Sequence, residues 1–258
     1  MADAPLLSMP PRLCYTEDVR LKLNSLEKKL FNAAQPDLAW GALIASGAKN
    51  QRDLENYLAK IDTLYEQLRH QIPARAELKK AGALFALLWT RKPDRYQYQG
   101  NFRLPDVVDA QLDPSVERVG NCLGLTALYN ALAQKCGLEM KAVYLEEAHG
   151  RRSHVFSTFV SGNITIDIDN IFSNGFDSKE HLDDPERVLW GNSELIADIY
   201  HSIGWALHEQ GKLDNAILNY SKAIRLNPKY AKAYLNRGIA LSMMGREEEA
   251  RKDLERQV

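Results

Sequence analysis

The spacing of apolar residues in the first third of the chain predicts helices. Across residues 54–68 apolar side chains recur every three or four positions, with charged residues on the opposite side. Asn50 and Ser46 are alternative N-caps for this helix. The apolar run 81–89 predicts a second, short helix that is apolar nearly all round and therefore buried. We expect a helical N-terminal region over about residues 18–90.

The middle of the chain predicts a mixture of helix, loop and strand. Prolines and aromatic residues in the segment 92–114 indicate an irregular crossing loop. A helix is predicted over 120–137, with Gly137 as its C-terminal stop and an apolar stripe made by Leu125, Leu128, Leu132 and Cys136. Residues 141–146 are typical of a strand. Together with the helical N-terminal region, these elements predict an α+β fold.

A β-hairpin is predicted downstream, with residues 161–162 as its turn. In that register Val160 pairs with Asn163, and His154 lies opposite Asp169. Directly opposed residues share a sheet face, with β-carbons about 5 Å apart. The other face would then carry a core surface of Val155, Phe159, Ile164, Ile166 and Ile168. The register that buries these residues therefore also brings His154 and Asp169 together.

An internal repeat occupies the C-terminal quarter. An offset of 34 residues maps one set of small and aromatic residues onto another, in the pairs Ala197/Ala231, Tyr200/Tyr234, Gly204/Gly238, Ala206/Ala240, Leu207/Leu241, Gly211/Gly245 and Ala216/Ala250. This pattern is typical of tetratricopeptide (TPR) helical hairpins. We assign the repeats to 197–230 and 231–258, within a C-terminal part at 191–258, with 183–193 as the connection. Since about three repeats are needed for independent stability, this pair must pack against the neighbouring domain or a partner chain.

Composition narrows the classes of function. The chain has 258 residues, a formal net charge of −1 and 26% charged residues, which predicts neither nucleic-acid nor membrane partners. No secretory signal or membrane-spanning stretch is indicated. The three cysteines (Cys14, Cys122 and Cys136) have no paired spacing, so neither a disulfide scaffold nor a metal site is predicted. We expect a cytoplasmic protein without a cofactor.

Cys122 is the candidate nucleophile. It falls at the predicted helix start, where free N–H groups and the positive end of the dipole favour a thiolate. An imidazole can deprotonate such a thiol when a carboxylate orients it, which assigns the base to His154 and the acid to Asp169. Asp167 is the alternative acid and His149 the alternative base. The competing interpretation is a structural His–Asp pair beside a buried cysteine.

These residues resemble the transglutaminase-like superfamily of papain-like cysteine enzymes. The matching pattern is Gly120-Asn121-Cys122 at a helix start, His154 with Gly162 eight residues later, and Asp169 near a strand end. The resemblance implies a transglutaminase-like core over about 106–182, within a domain at 1–190. It implies nucleophile, base and orienting acid in that order, and Phe156 replaces the tryptophan that often follows the superfamily histidine.

The whole layout is similar to the SirB-type bacterial family, in which a helical region and a transglutaminase-like core precede TPR repeats. The supporting segments are 57–62, the helix after Gly120, and 169–175. In the last segment Asn170-Ile171-Phe172 replaces that family's Asp-Pro-Phe run. Many members of that family lack the cysteine that this chain has.

Three hypotheses follow for the function. The first is a cysteine enzyme acting on an amide or thioester, by hydrolysis or by transfer to an amine. The second is an inert transglutaminase-like domain in a scaffold whose TPR groove binds a protein or peptide. The third is that the repeats only complete the fold.

Overall fold

The computed structural model describes residues 21–148, 150 and 153–257, and Cys14 and His149 lie outside them. The described helices are α1 (Ser25–Asn32), α2 (Leu38–Ala45), α3 (Gln51–Arg69), α4 (Glu77–Arg91), α5 (Leu104–Leu112), α6 (Cys122–Lys135), α7 (Asn192–Glu209), α8 (Leu213–Leu226), α9 (Ala231–Met243) and α10 (Glu247–Leu254). The described strands are β1 (Lys141–Leu145), β2 (His154–Ser161), β3 (Ile164–Ile168), β4 (Phe176–Ser178) and β5 (Val188–Trp190). The chain is thus a mixture of helices and one small antiparallel sheet, with helical hairpins at its C-terminal end.

The N-terminal region is helical, as predicted, and α3 begins at the expected cap. The Asn50 side chain accepts a hydrogen bond from the Asp53 N–H at 3.0 Å. Ser46 is not the cap of α3, because its hydroxyl accepts a hydrogen bond from the Leu104 N–H at 3.1 Å. The apolar stripe of α3 is buried at Leu54, Ile61, Leu64 and Leu68.

The helix predicted at 81–89 is longer and more one-sided than expected. It is α4, of 15 residues, and Ala86 in its middle is exposed. Gly82 lies within the continuous helix, and the ring of Phe176 packs over that position. The prediction of a short helix buried all round is therefore wrong.

The prediction of an irregular loop over 92–114 is also wrong in its second half, where α5 forms. Pro105 stands in the first turn, where a missing N–H costs nothing, and Asp106 complements the dipole there. Val107 and Val108 are fully buried. The proline that indicated a loop is in fact a helix-start residue.

The five strands form one antiparallel sheet in the order β4-β3-β2-β1-β5. Helix α6 packs on β2, and the Thr126 hydroxyl donates a hydrogen bond to the carbonyl of Val155 at 3.2 Å. Gly137 has φ +77 and ends α6 as predicted, with the N–H of Leu138 bonded to the carbonyl of Ala133. This packing positions the start of α6 beside the start of β2.

The hairpin between β2 and β3 forms, but with its turn one residue later than predicted. Ser161 pairs with Ile164 and Val160 with Thr165, so the turn residues are Gly162 and Asn163. Gly162 adopts φ +62, which glycine tolerates without a steric penalty. The pairing is shifted by two positions, and a shift of two keeps every side chain on its predicted face.

The predicted apolar face is buried except at the hairpin tip. Val155, Phe159, Ile166 and Ile168 are in the core, whereas Ile164 is 58% exposed. Ile164 is the first residue after the turn and is not covered by the helices. Its assignment to the core was wrong for that reason.

The C-terminal helices pair as two helical hairpins, α7 with α8 and α9 with α10. An ideal β-carbon on Gly204 would lie 2.7 Å from the Tyr220 ring, so a small residue is needed where α7 and α8 cross. Gly211 and Gly245, 34 residues apart, occupy equivalent turns with φ +71 and +72. The repeat read from the sequence is therefore a repeat of structure.

The hairpins pack against the N-terminal helices. An ideal β-carbon on Gly41 of α2 would lie 2.4 Å from Ile196 of α7, which shows how closely the two helices approach. Glu27 of α1 forms a buried ion pair with Lys222 of α8 at 2.6 Å, and the Tyr200 hydroxyl donates to the same carboxylate at 3.1 Å. The neighbouring region thus supplies the support that two repeats need.

The connection predicted at 183–193 contains an additional element. Its residues 188–190 form β5, which pairs with β1 at the sheet edge, and α7 already begins at Asn192. Trp190 stacks on Tyr144 with ring centroids 4.1 Å apart. Among the helices described, none is both long and apolar enough to cross a membrane.

Candidate active site

Cys122 is the first residue of α6, as the sequence predicts. The preceding residue, Asn121, caps the helix by accepting a hydrogen bond from the Gly124 N–H at 3.1 Å. The N–H groups of Cys122 and Leu123 have no acceptor within the helix, because they belong to its first turn. Cys122 is half-buried. Its thiol therefore lies at the positive end of α6, next to free backbone donors.

Two glycines allow the preceding loop to cover this helix start. An ideal β-carbon on Gly124 would lie 2.4 Å from the carbonyl oxygen of Asn101, and one on Gly120 would lie 2.6 Å from the same oxygen. That oxygen accepts a hydrogen bond from the Asn121 N–H at 3.0 Å. A larger side chain at either glycine would displace Asn101. Gly120 belongs to the motif at the helix start, whereas no sequence signal points to the contact of Gly124 with Asn101.

His154 and Asp169 lie in contact. The imidazole Nε2 is 2.9 Å from Oδ2 of Asp169, and the two residues are 5% and 3% exposed. The other carboxylate oxygen accepts a hydrogen bond from the Ile171 N–H at 3.2 Å. The Asp169 N–H donates to the carbonyl of Gly175 at 2.8 Å. These bonds fix the carboxylate in the tight turn that follows β3.

His154 is also hydrogen-bonded to the Cys122 side chain. Burial lowers the pKa of His154, but hydrogen bonds and charge interactions with Asp169 and Cys122 outweigh that effect and raise the pKa to about 10. An imidazole that contacts a carboxylate and a thiol can hold a proton between them. The structure thus brings together all three residues of the predicted site.

The alternative acid, Asp167, is engaged elsewhere. Arg187 donates to both of its oxygens, at 2.8 and 3.1 Å, and Thr158 donates at 2.7 Å. These bonds attach the segment after β4 to the sheet. Asp167 therefore has a structural partner of its own, and the alternative base, His149, is outside the described residues.

The contacts of further side chains around the site do not follow from the sequence. The Asn170 amide donates to the Ser157 hydroxyl at 2.8 Å and thereby ties the residue after Asp169 to β2. The Phe156 ring lies 5.6 Å from the ring of His154 and 5.9 Å from that of His181. Asn170 replaces an aspartate of the SirB-type pattern, and that departure was the available signal. The stacking of His181 on Phe156 had no signal in the sequence, because it depends on how residues 179–187 cross the sheet.

The TPR hairpins reach the same region. Lys232, at the start of α9, donates to the Ser153 hydroxyl at 3.0 Å and forms an ion pair with Glu146 at 3.2 Å. Ser153 immediately precedes His154. Further along the hairpins, Trp205 and Ile239 occupy equivalent positions 34 residues apart and are both more than a third exposed. The start of α9 therefore lies beside the residue that precedes His154, and each repeat exposes one apolar side chain at an equivalent position.

Comparisons with known proteins identify the repeats. A family model described as TPR repeat matches residues 197–245. The repeat supports binding of a protein partner. An uncharacterized protein from Methanocaldococcus jannaschii is 40% identical over 55 residues, which is 21% of this chain and 64% of that relative. The chain thus matches less than two thirds of that relative's length.

One solved structure also resembles the chain. It is the crystal structure of menin that reveals the binding site for Mixed Lineage Leukemia (MLL) protein. The similarity covers 90% of this chain and 68% of that chain, at 13% sequence identity and a TM-score of 0.49.

Proposed function

We propose that the chain is a cysteine enzyme of the transglutaminase-like type, acting on an amide of a protein or peptide through Cys122, His154 and Asp169. The observation that carries the proposal is the position of His154, which is hydrogen-bonded to the carboxylate on one side and to the thiol on the other. A purely structural His–Asp pair would have no need of a half-buried cysteine at a helix start.

The first step is acylation of the thiol. Since Nε2 of His154 is bonded to Asp169, Nδ1 is the nitrogen that holds the proton transferred from Cys122, and the raised pKa of His154 favours that imidazolium. The thiolate sulfur then attacks the carbonyl carbon of the amide, and the carbonyl π electrons move to oxygen. The free N–H groups at the start of α6 are positioned to stabilise that oxyanion. Collapse of the intermediate breaks the C–N bond, and the imidazolium gives its proton to the leaving amine.

The second step releases the acyl group. A water molecule or a second amine attacks the thioester carbon while His154 takes its proton, and the sulfur leaves and is reprotonated. Water gives a carboxylate and an amine gives a new amide. Hydrolysis and transfer therefore use the same three residues, and the acceptor that reaches the thioester decides between them.

The assignment of residues 106–182 to a transglutaminase-like core, within a domain at 1–190, remains part of this proposal. Its support is the order helix–strand–strand, with Cys122, His154 and Asp169 each at or next to the end of an element. In the proposal the TPR hairpins bind the protein substrate, because Lys232 links α9 to the residue before His154.

Iodoacetamide labelling tests the proposed nucleophile. We expect Cys122 to be alkylated at least about tenfold faster at pH 7 than an unfolded-state thiol, and His154→Ala to abolish the difference. The Cys136→Ser variant is the matched control and should leave the fast phase unchanged. A folded protein in which Cys122 reacts no faster than the denatured chain would exclude the mechanism.

The alternative function is a scaffold in which the same domain is inert. It is favoured by Trp205 of α7 and Ile239 of α9, which are exposed at equivalent positions of the two repeats. Cys122→Ala separates the two functions, since it removes acyl transfer but leaves partner binding intact. Restoration of a cellular defect by Cys122→Ala would favour the scaffold.

A further inference from the structure

The end of the β1–β2 pair next to His154 is held by a group of polar side chains. Leu145, the last residue of β1, pairs with His154, the first residue of β2. Glu146 follows Leu145 in the chain, and Ser153 precedes His154. Lys232 of α9 donates to the Ser153 hydroxyl at 3.0 Å and forms an ion pair with Glu146 at 3.2 Å. One ammonium group therefore joins the ends of both strands at the position of the candidate base.

Tyr144 completes this group. Its hydroxyl donates to Oε2 of Glu146 at 2.6 Å, while Lys232 contacts Oε1, so both oxygens of that carboxylate are oriented. The Ser153 hydroxyl is also hydrogen-bonded to Tyr144. Burial and the bond to Glu146 raise the pKa of Tyr144, so its hydroxyl stays protonated at neutral pH. Each of the four side chains thus bonds to two others, and removal of one loosens the rest.

Tyr230 fixes the start of α9 on the sheet. It is the residue before α9 and is 3% exposed. Its ring lies edge-on to the rings of Tyr144 and Trp190, with centroids 5.8 and 5.3 Å away. Its hydroxyl donates to Asp198 of α7 at 2.6 Å. Lys232 stands two residues later, so its ammonium reaches the strand ends from a supported position.

The contacts of Lys232 act on local geometry more than on global stability. The side chains of Lys232 and Glu146 are 23% and 58% exposed, and ion pairs this accessible contribute little to stability. The bond to Ser153, in contrast, holds the main chain directly before His154. A base that contacts a carboxylate and a thiol at once tolerates little displacement.

We propose that Lys232 is a positioning residue for His154, so that the second TPR repeat supports the active site from outside residues 106–182. This role rests on the proposed function, because it affects a reaction only if Cys122 is the nucleophile. Lys232 acts on the imidazole through Ser153 and the main chain. Movement of α9 away from the sheet would release Ser153 and slow acylation, which couples the position of the repeats to the reactivity of the thiol.

The test compares Lys232→Met and Ser153→Ala with the wild-type chain. Two readouts are followed, the pH midpoint of the His154 ring by NMR and the rate at which iodoacetamide labels Cys122 at pH 7. We expect each variant to lower the midpoint, because weaker contacts with Asp169 and Cys122 raise the pKa less. Labelling should slow about threefold or more. The urea midpoint of unfolding should stay close to that of wild type, since the ion pair is accessible to water.

The variants separate geometry from charge. Loss of the Lys232 charge alone would raise the midpoint of a nearby imidazole, whereas loss of positioning lowers it. The double variant Lys232→Met/Ser153→Ala should label no more slowly than the slower single variant, because both changes remove the same bond. Lys232→Arg retains a cationic donor and should restore most of the labelling rate.

Lys229→Met is the matched control. It removes the same charge from an exposed side chain three residues earlier and should leave both readouts unchanged. The His154 midpoint is measured without any reaction, so a wild type that labels slowly would exclude the proposed nucleophile while the midpoint still tests the positioning of the ring. An unchanged or raised midpoint in Lys232→Met would overturn the proposal. So would labelling as fast in Lys232→Met as in a fast-reacting wild type.

Discussion

The imidazole Nε2 of His154 lies 2.9 Å from Oδ2 of Asp169, although the two residues are not paired opposite each other in the sheet. His154 pairs with Leu145 of β1, and Asp169 follows the last residue of β3. Side chains on one face of a sheet also meet diagonally, which allows this contact. The pair therefore depends on the shared face more than on the register.

Replacing Asp169 with Asn is expected to lower the pKa of His154. The variant removes the negative charge and the charge-assisted hydrogen bond that raise this pKa to about 10, while the burial that lowers it remains. NMR titration of the His154 ring in both proteins measures the change. Asp177→Asn, which breaks an exposed ion pair with Lys179, is the matched control and should not shift the midpoint. The same midpoint in Asp169→Asn would show that the carboxylate does not act on the imidazole.

The raised pKa of His154 also predicts how stability depends on pH. A group whose pKa is higher in the folded state than in the unfolded state stabilises the fold fully below its unfolded pKa of about 6.5. That stabilisation is lost as the pH rises towards about 10. The free energy of unfolding of wild type should therefore fall by a few kcal/mol more than that of His154→Gln over this interval. Urea unfolding at several pH values measures the difference. Parallel pH profiles for the two proteins would contradict a raised pKa of His154 in the folded state.

Local rules predicted much of the fold. The stop of α6 at Gly137 and the 34-residue repeat depend on neighbouring residues, so the sequence alone was sufficient, whereas the cap of α3 was narrowed to Asn50 or Ser46. Helix α5 was missed because Pro105 was interpreted as a loop signal without considering the first turn of a helix. The hairpin register was shifted by two because Gly162 supports a turn at either of two adjacent positions.

The candidate site was predictable to a similar extent. Cys122, His154 and Asp169 carry their own chemistry and lie at element boundaries, so their types and spacing nominate them as candidates, with Asp167 and His149 as the alternatives. The contact of Asn101 with Gly124 joins a loop to a helix, and Lys232 reaches Ser153 across 79 residues. Long-range contacts of this kind have no local pattern. They become visible only when the elements are packed.

Substituting Gly124 with Ala should disturb the start of α6. The new β-carbon would meet the Asn101 oxygen at 2.4 Å and Val107 at 2.7 Å, and a backbone carbonyl cannot move aside as a side chain can. We expect a loss of about 1–3 kcal/mol in the free energy of unfolding. Gly82→Ala in α4 is the matched control, because it meets only the Phe176 ring, at 3.3 Å, and gains helix propensity. Equal stability of the two variants would mean that the loop is not fixed against α6.

Breaking the Glu27–Lys222 pair should destabilise the contact between the N-terminal helices and the repeats. Lys222→Met leaves a buried carboxylate without its cation and is expected to cost about 3–5 kcal/mol. Adding Glu27→Gln removes that charge, keeps one acceptor oxygen for the Asn24 N–H, and places an amide N–H that can donate to the Tyr200 hydroxyl. The double variant should therefore be more stable than Lys222→Met alone. Urea unfolding of the two single variants and the double variant measures the coupling, and strictly additive losses would contradict it.

Removing residues 195–258 should expose the surface of α2 on which α7 packs. Leu38, Ala42 and Ile196 belong to one apolar cluster, so the deletion removes one side of that core. We expect a truncated protein that retains helical far-ultraviolet dichroism but loses near-ultraviolet signal and binds an apolar dye. Deletion of residues 246–258 is the matched control, because α10 packs mainly on α9. Cooperative unfolding of the truncated protein 1–194 would mean that the repeats are an independent binding module. A molten product would mean that they complete the core beside Cys122.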